Sequence, residues 1–483
     1  MNKYFSDYLP PALVRDFRRS LRSRGYVLML LIAVLVAVWV QYDAIAQLPE
    51  SKSMGGGTTL TMIGVFLFWC IIPHRAGRAV LADCRVKSAN YMMLTPLSSR
   101  HIVWSTWFSA VVQLLIVGGI GALILWWRQV ATPDMPLTEA SLFSLTGSLF
   151  PGVPFFSWQP VTFTQVWVIY ALMLGVGALL CAVFMSLAQM STFTRLIVIC
   201  AMATVALSWG MAQITTILDS GRSPADILLA GFSGISLWCR LADAALVLWV
   251  LLELARRSYA SPAENCSWGL RLWALAPMVL VAALHYAAPE ESELMTEQLE
   301  FSVAMGLVIC LCDALLPTYS LPGHGRRTWP LLPSYLQTPG LGQAALFLVL
   351  VLAANWGVHV WQMQESSVPY LLNKGLSAEW MDGLHSLRLL YALLCALLLT
   401  DLLCGSMNAN RPTVFAVLLL GLDIVAGFVA PGATQDVYLS SVIPCSEVLL
   451  QIKTAEQLTV CSAVSAACCL LMLAGLIFRG RRS

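Results

Sequence analysis

Few residues in this chain are of types that do chemistry, and they are widely spread. The six histidines (His74, His101, His285, His324, His359 and His385) stand singly. No HxxxH or HExxH spacing occurs that would turn two imidazoles to one helix face around a metal. The 14 cysteines lie mostly inside apolar runs, as Cys181, Cys200, Cys395, Cys468 and Cys469 do, and none forms a CxxC pair. They read as small buried residues, with neither a zinc site nor a disulfide framework signalled. Gly55-Gly56-Gly57-Thr58-Thr59 lacks the lysine of a phosphate-binding loop, so the chain is not expected to hold ATP itself. No paired carboxylates gather on one side, and no catalytic role is expected.

Ionisable residues within apolar runs are the remaining candidates, because charge in hydrocarbon is costly and usually has a purpose. Asp423 falls near the middle of one run, where it serves either a helix-packing hydrogen bond or a substrate- or proton-linked site. Asp313 lies toward the inner end of another, as a helix-end charge near the surface or a functional group. Arg240 and Asp243, three apart, can pair on one helix face. Glu253, one turn from Arg256 and Arg257, is expected at the membrane interface beside them.

These residues must be positioned by helices in a bilayer. Of 483 residues 58% are hydrophobic and only 11% charged, against roughly 25% charged in soluble domains. A soluble chain of this length could not hide so much apolar surface, and a net charge of +2 argues against a nucleic-acid binder. Apolar windows predict twelve spans: 26–46, 58–72, 102–127, 164–187, 195–217, 236–255, 268–288, 301–316, 344–361, 385–404, 412–430 and 457–478. Lacking strict alternation, they suit helices rather than barrel strands, which makes an all-α, polytopic transmembrane bundle.

Twelve spans put both termini on one side. That side collects 21 of the 28 basic residues, while the opposite loop 289–300 carries five Glu and no Lys or Arg. The positive-inside rule makes the termini cytoplasmic. Ala44-Ile45-Ala46 imitates a signal-cleavage site, but cleavage would break the parity, so the first span is expected to stay.

Spacing suggests an internal duplication. Spans three to six begin near 102, 164, 195 and 236; spans nine to twelve begin near 344, 385, 412 and 457. Each half carries a Thr-Pro pair before its third span, Thr95-Pro96 and Thr338-Pro339, and each ends on a basic cluster. The expected organisation is an amphipathic segment over 1–25, a six-span unit over 26–258 and a second, parallel unit over 259–483.

Two segments outside the spans stand out. In 11–24, Leu13, Val14, Phe17 and Leu21 share one helical face, and Arg15, Arg18, Arg19 and Arg22 take the rest. Such a helix lies in the interface. Residues 73–87 can continue span two into the cytoplasm, and Thr95 is a suitable N-cap with Pro96 at the first helical position of the next helix.

The order of these parts, with Tyr91-Met92-Met93-Leu94-Thr95-Pro96-Leu97-Ser98 before Ile102-Val103, resembles the membrane subunit of ABC-2-type exporters over roughly residues 10–258. That family has an interfacial "elbow" helix, a second span entering a cytoplasmic coupling element, and a Leu-Leu-x-Thr-Pro-Leu-Ser-like motif before the third span. The loop 218–234 falls where the family has re-entrant half-helices. This chain departs in having Asp83 where the family often has Glu, and Ser105-Thr106 where it often has Gly-Lys. Its second half departs further, with Pro317, Pro322, Pro330, Pro333 and Pro339 between spans eight and nine.

The resemblance implies a permease in the bacterial cytoplasmic membrane, with no cofactor in this chain and with ATP and magnesium in a separate ATP-binding subunit. That subunit would dock on Arg75, Arg78, Asp83, Arg85, Lys87, Thr95, Pro96, Leu97 and Ser98. It implies a homodimer, or a pseudo-dimer within one chain, surrounded by lipid. Two other classes remain. A proton-coupled secondary transporter of the major-facilitator kind would want a G-x-x-x-D-R-x-G-R-type motif, but Gly77 is six residues before Asp83 and the later Gly is missing. A polytopic membrane enzyme would want the catalytic clusters that the sequence lacks.

Overall fold

The computed structural model describes residues 13–15, 18, 22–28, 30–32, 34–35, 71–83, 98–131, 163–189, 195, 234–257, 259, 266–287, 292–315, 341–365, 378–404, 411, 414–419, 421 and 455–480. Among the described residues the regular structure is helical throughout, with no strand.

Among the described residues the longer helices are α1 (Ile72–Asp83), α2 (Ser99–Ala131), α3 (Phe163–Ser186), α4 (Gly234–Arg256), α5 (Cys266–Ala287), α6 (Ser292–Leu315), α7 (Leu341–Glu365), α8 (Ala378–Cys404) and α9 (Ala455–Gly480). A short 3₁₀ turn, Leu187–Gln189, follows α3. Six helices among the described residues are long and apolar enough to cross a membrane: α2, α4, α6, α7, α8 and α9. At 33 residues α2 is about 50 Å long, longer than the roughly 30 Å hydrocarbon core needs.

Several helix starts differ from the expected ones, α8 by seven residues, at Ala378 rather than 385. α6 begins at Ser292, so most of the acidic stretch expected as a loop is helix. Hydropathy alone does not register this start, because residues 292–300 carry three Glu among few apolar residues. α2 is described from Ser99, with Ser98 as its cap.

The chain divides into two compact units, Met1–Gln189 with Val198–Tyr259, and Met190–Ile197 with Ala260–Ser483. In the first, α3 is the hub, packing on α1, α2 and α4, while α2 also touches α1 and α4. Its core joins Tyr26 to Ile72, Ala76 and Val80 of α1, Val103, Ala110 and Leu114 of α2, Cys181 and Met185 of α3, and Leu252 and Ala255 of α4. In the second, α7 packs on α5, α6, α8 and α9, and α8 lies along α9.

In bilayer, lipid is as apolar as leucine, so close backbone approach does much of the work of helix association. Gly77 on α1 shows this: a Cβ there would stand 2.7 Å from the Phe184 carbonyl oxygen of α3. Gly342 on α7 plays the same part against Leu476 of α9.

The neighbour patterns of the units correspond. α2 with α3, α3 with α4 and α2 with α4 in the first are matched by α7 with α8, α8 with α9 and α7 with α9 in the second. The final helix of each unit is its least buried: 17% of the α4 window and 22% of the α9 window, against 44–56% in the other four.

Candidate functional site

The first turn of α2 follows directly on the Thr-Pro-Leu-Ser segment, and the structure shows how that turn is held. Ser98 caps the helix: its Oγ accepts the His101 backbone N–H at 3.4 Å and lies 2.7 Å from His101 Nδ1. An N-cap hydroxyl satisfying the third helical N–H is a standard helix start.

The next two residues bolt α2 to the last turn of α4. Arg256 Nε donates to Ser99 Oγ at 2.8 Å. Arg100 Nε donates to Glu253 Oε1 at 2.9 Å, and the second Glu253 oxygen accepts from an Arg256 terminal nitrogen at 3.0 Å. Glu253 is buried in the protein beside Arg256, its charge divided between two guanidinium groups. The sequence shows Arg256 one turn away; Arg100, 153 residues earlier, is brought by the packing alone. Helix electrostatics agree, since the carboxylate faces the positive start of α2 and Arg256 closes α4.

A second clasp joins α1 to the N-terminal region. Arg22 N–H donates to the Arg18 carbonyl, Ser23 breaks the helix, and a new one starts at residue 24. Ser23 Oγ caps it through Tyr26 N–H at 3.3 Å. From α1, Arg75 donates to the same Ser23 hydroxyl and lies over the Tyr26 ring, 5.6 Å from its centre. Burial pulls the Arg75 pKa down from its ordinary value and the Tyr26 hydroxyl opposes that. Arg78, one turn on, is exposed, and Asp83 closes α1. Arg85, Lys87, Thr95, Pro96 and Leu97 lie outside the described residues, as does Asp423.

In the second unit, Asp313 of α6 meets Arg271 of α5. Arg271 Nε and a terminal nitrogen each stand 2.7 Å from one Asp313 oxygen, and both side chains are sealed from solvent. Asp313, near the end of α6, is thus half of a buried ion pair. Its partner sits 42 residues away, so no local pattern announces it. Arg388 on α8 is also buried, with a terminal nitrogen 3.4 Å from Ser465 of α9. An arginine amid the leucines of α8 is itself the signal that sequence reading should have taken up. On α4, Arg240 is exposed and Asp243 half-buried, ten residues and more before Glu253. Among the described residues no group of three His, Cys, Asp or Glu side chains gathers as a metal site.

These features define a class: a polytopic helical membrane protein with two buried carboxylates, among the described residues, held by arginines. Comparison with protein-family models, with curated proteins and with solved structures gives no match for this chain.

Proposed function

We propose that the chain is the membrane-spanning subunit of an ABC-2-type transporter, an exporter driven by a separate ATP-binding subunit. The observation that supports this best is the clamp at the start of α2. A Thr-Pro-Leu-Ser segment of the kind that receives force in this family is followed at once by a capped helix start. That start is tied through Arg100, Glu253 and Arg256 to the last helix of its unit.

On this reading the ATPase docks below residues 75–100, at the cytoplasmic end of the first unit. Closure of the ATPase on nucleotide displaces the loop ahead of Ser98. A capped helix moves as a rod, so the displacement enters α2 without being absorbed in its first turn. The Glu253 carboxylate, held from both sides, passes it to α4. Arg75, fastened to Ser23 and Tyr26, moves α1 together with the elbow helix and the first span. The matching neighbour patterns support a duplicated six-span plan.

The test is to purify the protein in mild detergent from its native host and identify what accompanies it. A bound nucleotide-hydrolysing subunit, weakened by Arg78→Glu, is expected. Transport that needs a proton gradient and no ATPase would overturn the reading in favour of a secondary transporter.

A further inference from the structure

The helix that starts after Ser23 has a feature that force transmission does not use. On it, Val27, Leu28, Leu31, Ile32, Val34 and Leu35 are all exposed, while Tyr26 is fully buried. At 100° per residue, positions 27, 28, 31, 32, 34 and 35 fan out on one face around position 24, with Tyr26 on the opposite side. That central position is Arg24, itself exposed. From 24 to 35 the stripe runs about 16 Å, close to half the roughly 30 Å hydrocarbon core, which is one leaflet. A single exposed cation therefore stands at the head of an apolar track as long as one acyl chain.

The cation is not alone. Arg18 and Arg22 are exposed just before it. The hydrogen bond from Arg75 to Ser23 brings α1 alongside, and exposed Arg78 lies one turn from Arg75. Neither 24–35 nor 72–81 contains an Asp or Glu. Headgroup region and apolar track together match the two ends of one molecule.

We propose that this face is a binding site for an anionic phospholipid. Its phosphate is taken by Arg22 and Arg24, with Arg18 adding field, and its acyl chain lies along Val27, Leu28, Leu31 and Leu35. Bound there, the lipid braces the junction that Arg75 clasps. The proposal is independent of the transporter reading, since it needs only a bilayer.

The full-length protein is delipidated, reconstituted with equal amounts of phosphatidylglycerol and phosphatidylcholine, and its retained lipid counted by native mass spectrometry. Phosphatidylglycerol should be enriched, and less so as salt rises. Arg22→Gln with Arg24→Gln should lower the preference roughly thirtyfold, at about fivefold per arginine. Arg22→Lys with Arg24→Lys should keep most of it. Equal retention of the two lipids by the native protein overturns the proposal. So does displacement by soluble glycerol phosphate as effective as by phosphatidylglycerol, which would make this a plain anion site. Both of these arms use the native protein, so a variant that fails to fold leaves the outcome decidable.

Discussion

The two buried carboxylates behave differently because their surroundings differ. Asp313 and Arg271 are sealed from solvent, so removing either partner strands the other charge in a low-dielectric interior. Asp313→Leu and Arg271→Met are each expected to destabilise the protein by about 3–5 kcal/mol. An apolar double replacement, Arg271→Met with Asp313→Leu, should recover most of that loss. Thermal unfolding of the four variants as a double-mutant cycle reads this directly; additive losses would show that the pair is not coupled. Glu253 is the softer case. Arg100 is half exposed, so Arg100→Gln should cost under about 1 kcal/mol. Glu253→Gln removes the negative charge and one of the two acceptor oxygens that hold the arginines, and should cost about 2 kcal/mol. If the transporter reading holds, Glu253→Gln also uncouples substrate-stimulated ATP hydrolysis while the ATPase still binds.

Helices associate here through close contacts, so glycine substitutions sort by what a methyl group would meet. Gly77→Ala sets a Cβ against a backbone carbonyl that cannot swing aside, and a loss of about 1–3 kcal/mol is expected. Gly357→Ala, on α7 with nothing within 4 Å, should be neutral or slightly stabilising. Melting temperatures of the two variants in one detergent check the ordering, and a reversed order would contradict the α1–α3 approach. Element boundaries were less legible than element existence. Hydropathy places α2, α4, α7 and α9 close to where they lie, but it begins α6 nine residues late and α8 seven. The early turns of both helices carry charged and polar residues, which lower the apolar signal without preventing the helix.

For the whole molecule, the basic residues decide orientation. Both termini are expected to be cytoplasmic, which fluorescent-protein fusions at either end report by their brightness; one dark terminus would break the six-plus-six count. That the chain is a helical membrane protein was legible in composition alone, because 58% hydrophobic residues with 11% charged leave bilayer as the solvent that fits. Patterns of three or four residues were legible too, such as the nearness of Glu253 to Arg256. Arg100 with Glu253, Arg271 with Asp313 and Arg75 with Ser23 were decided only by the tertiary structure. Each joins residues 42 to 153 positions apart. Local propensity and hydropathy reach along one helix, whereas the partner of a buried charge is set by which helices pack together and how each is rotated about its axis.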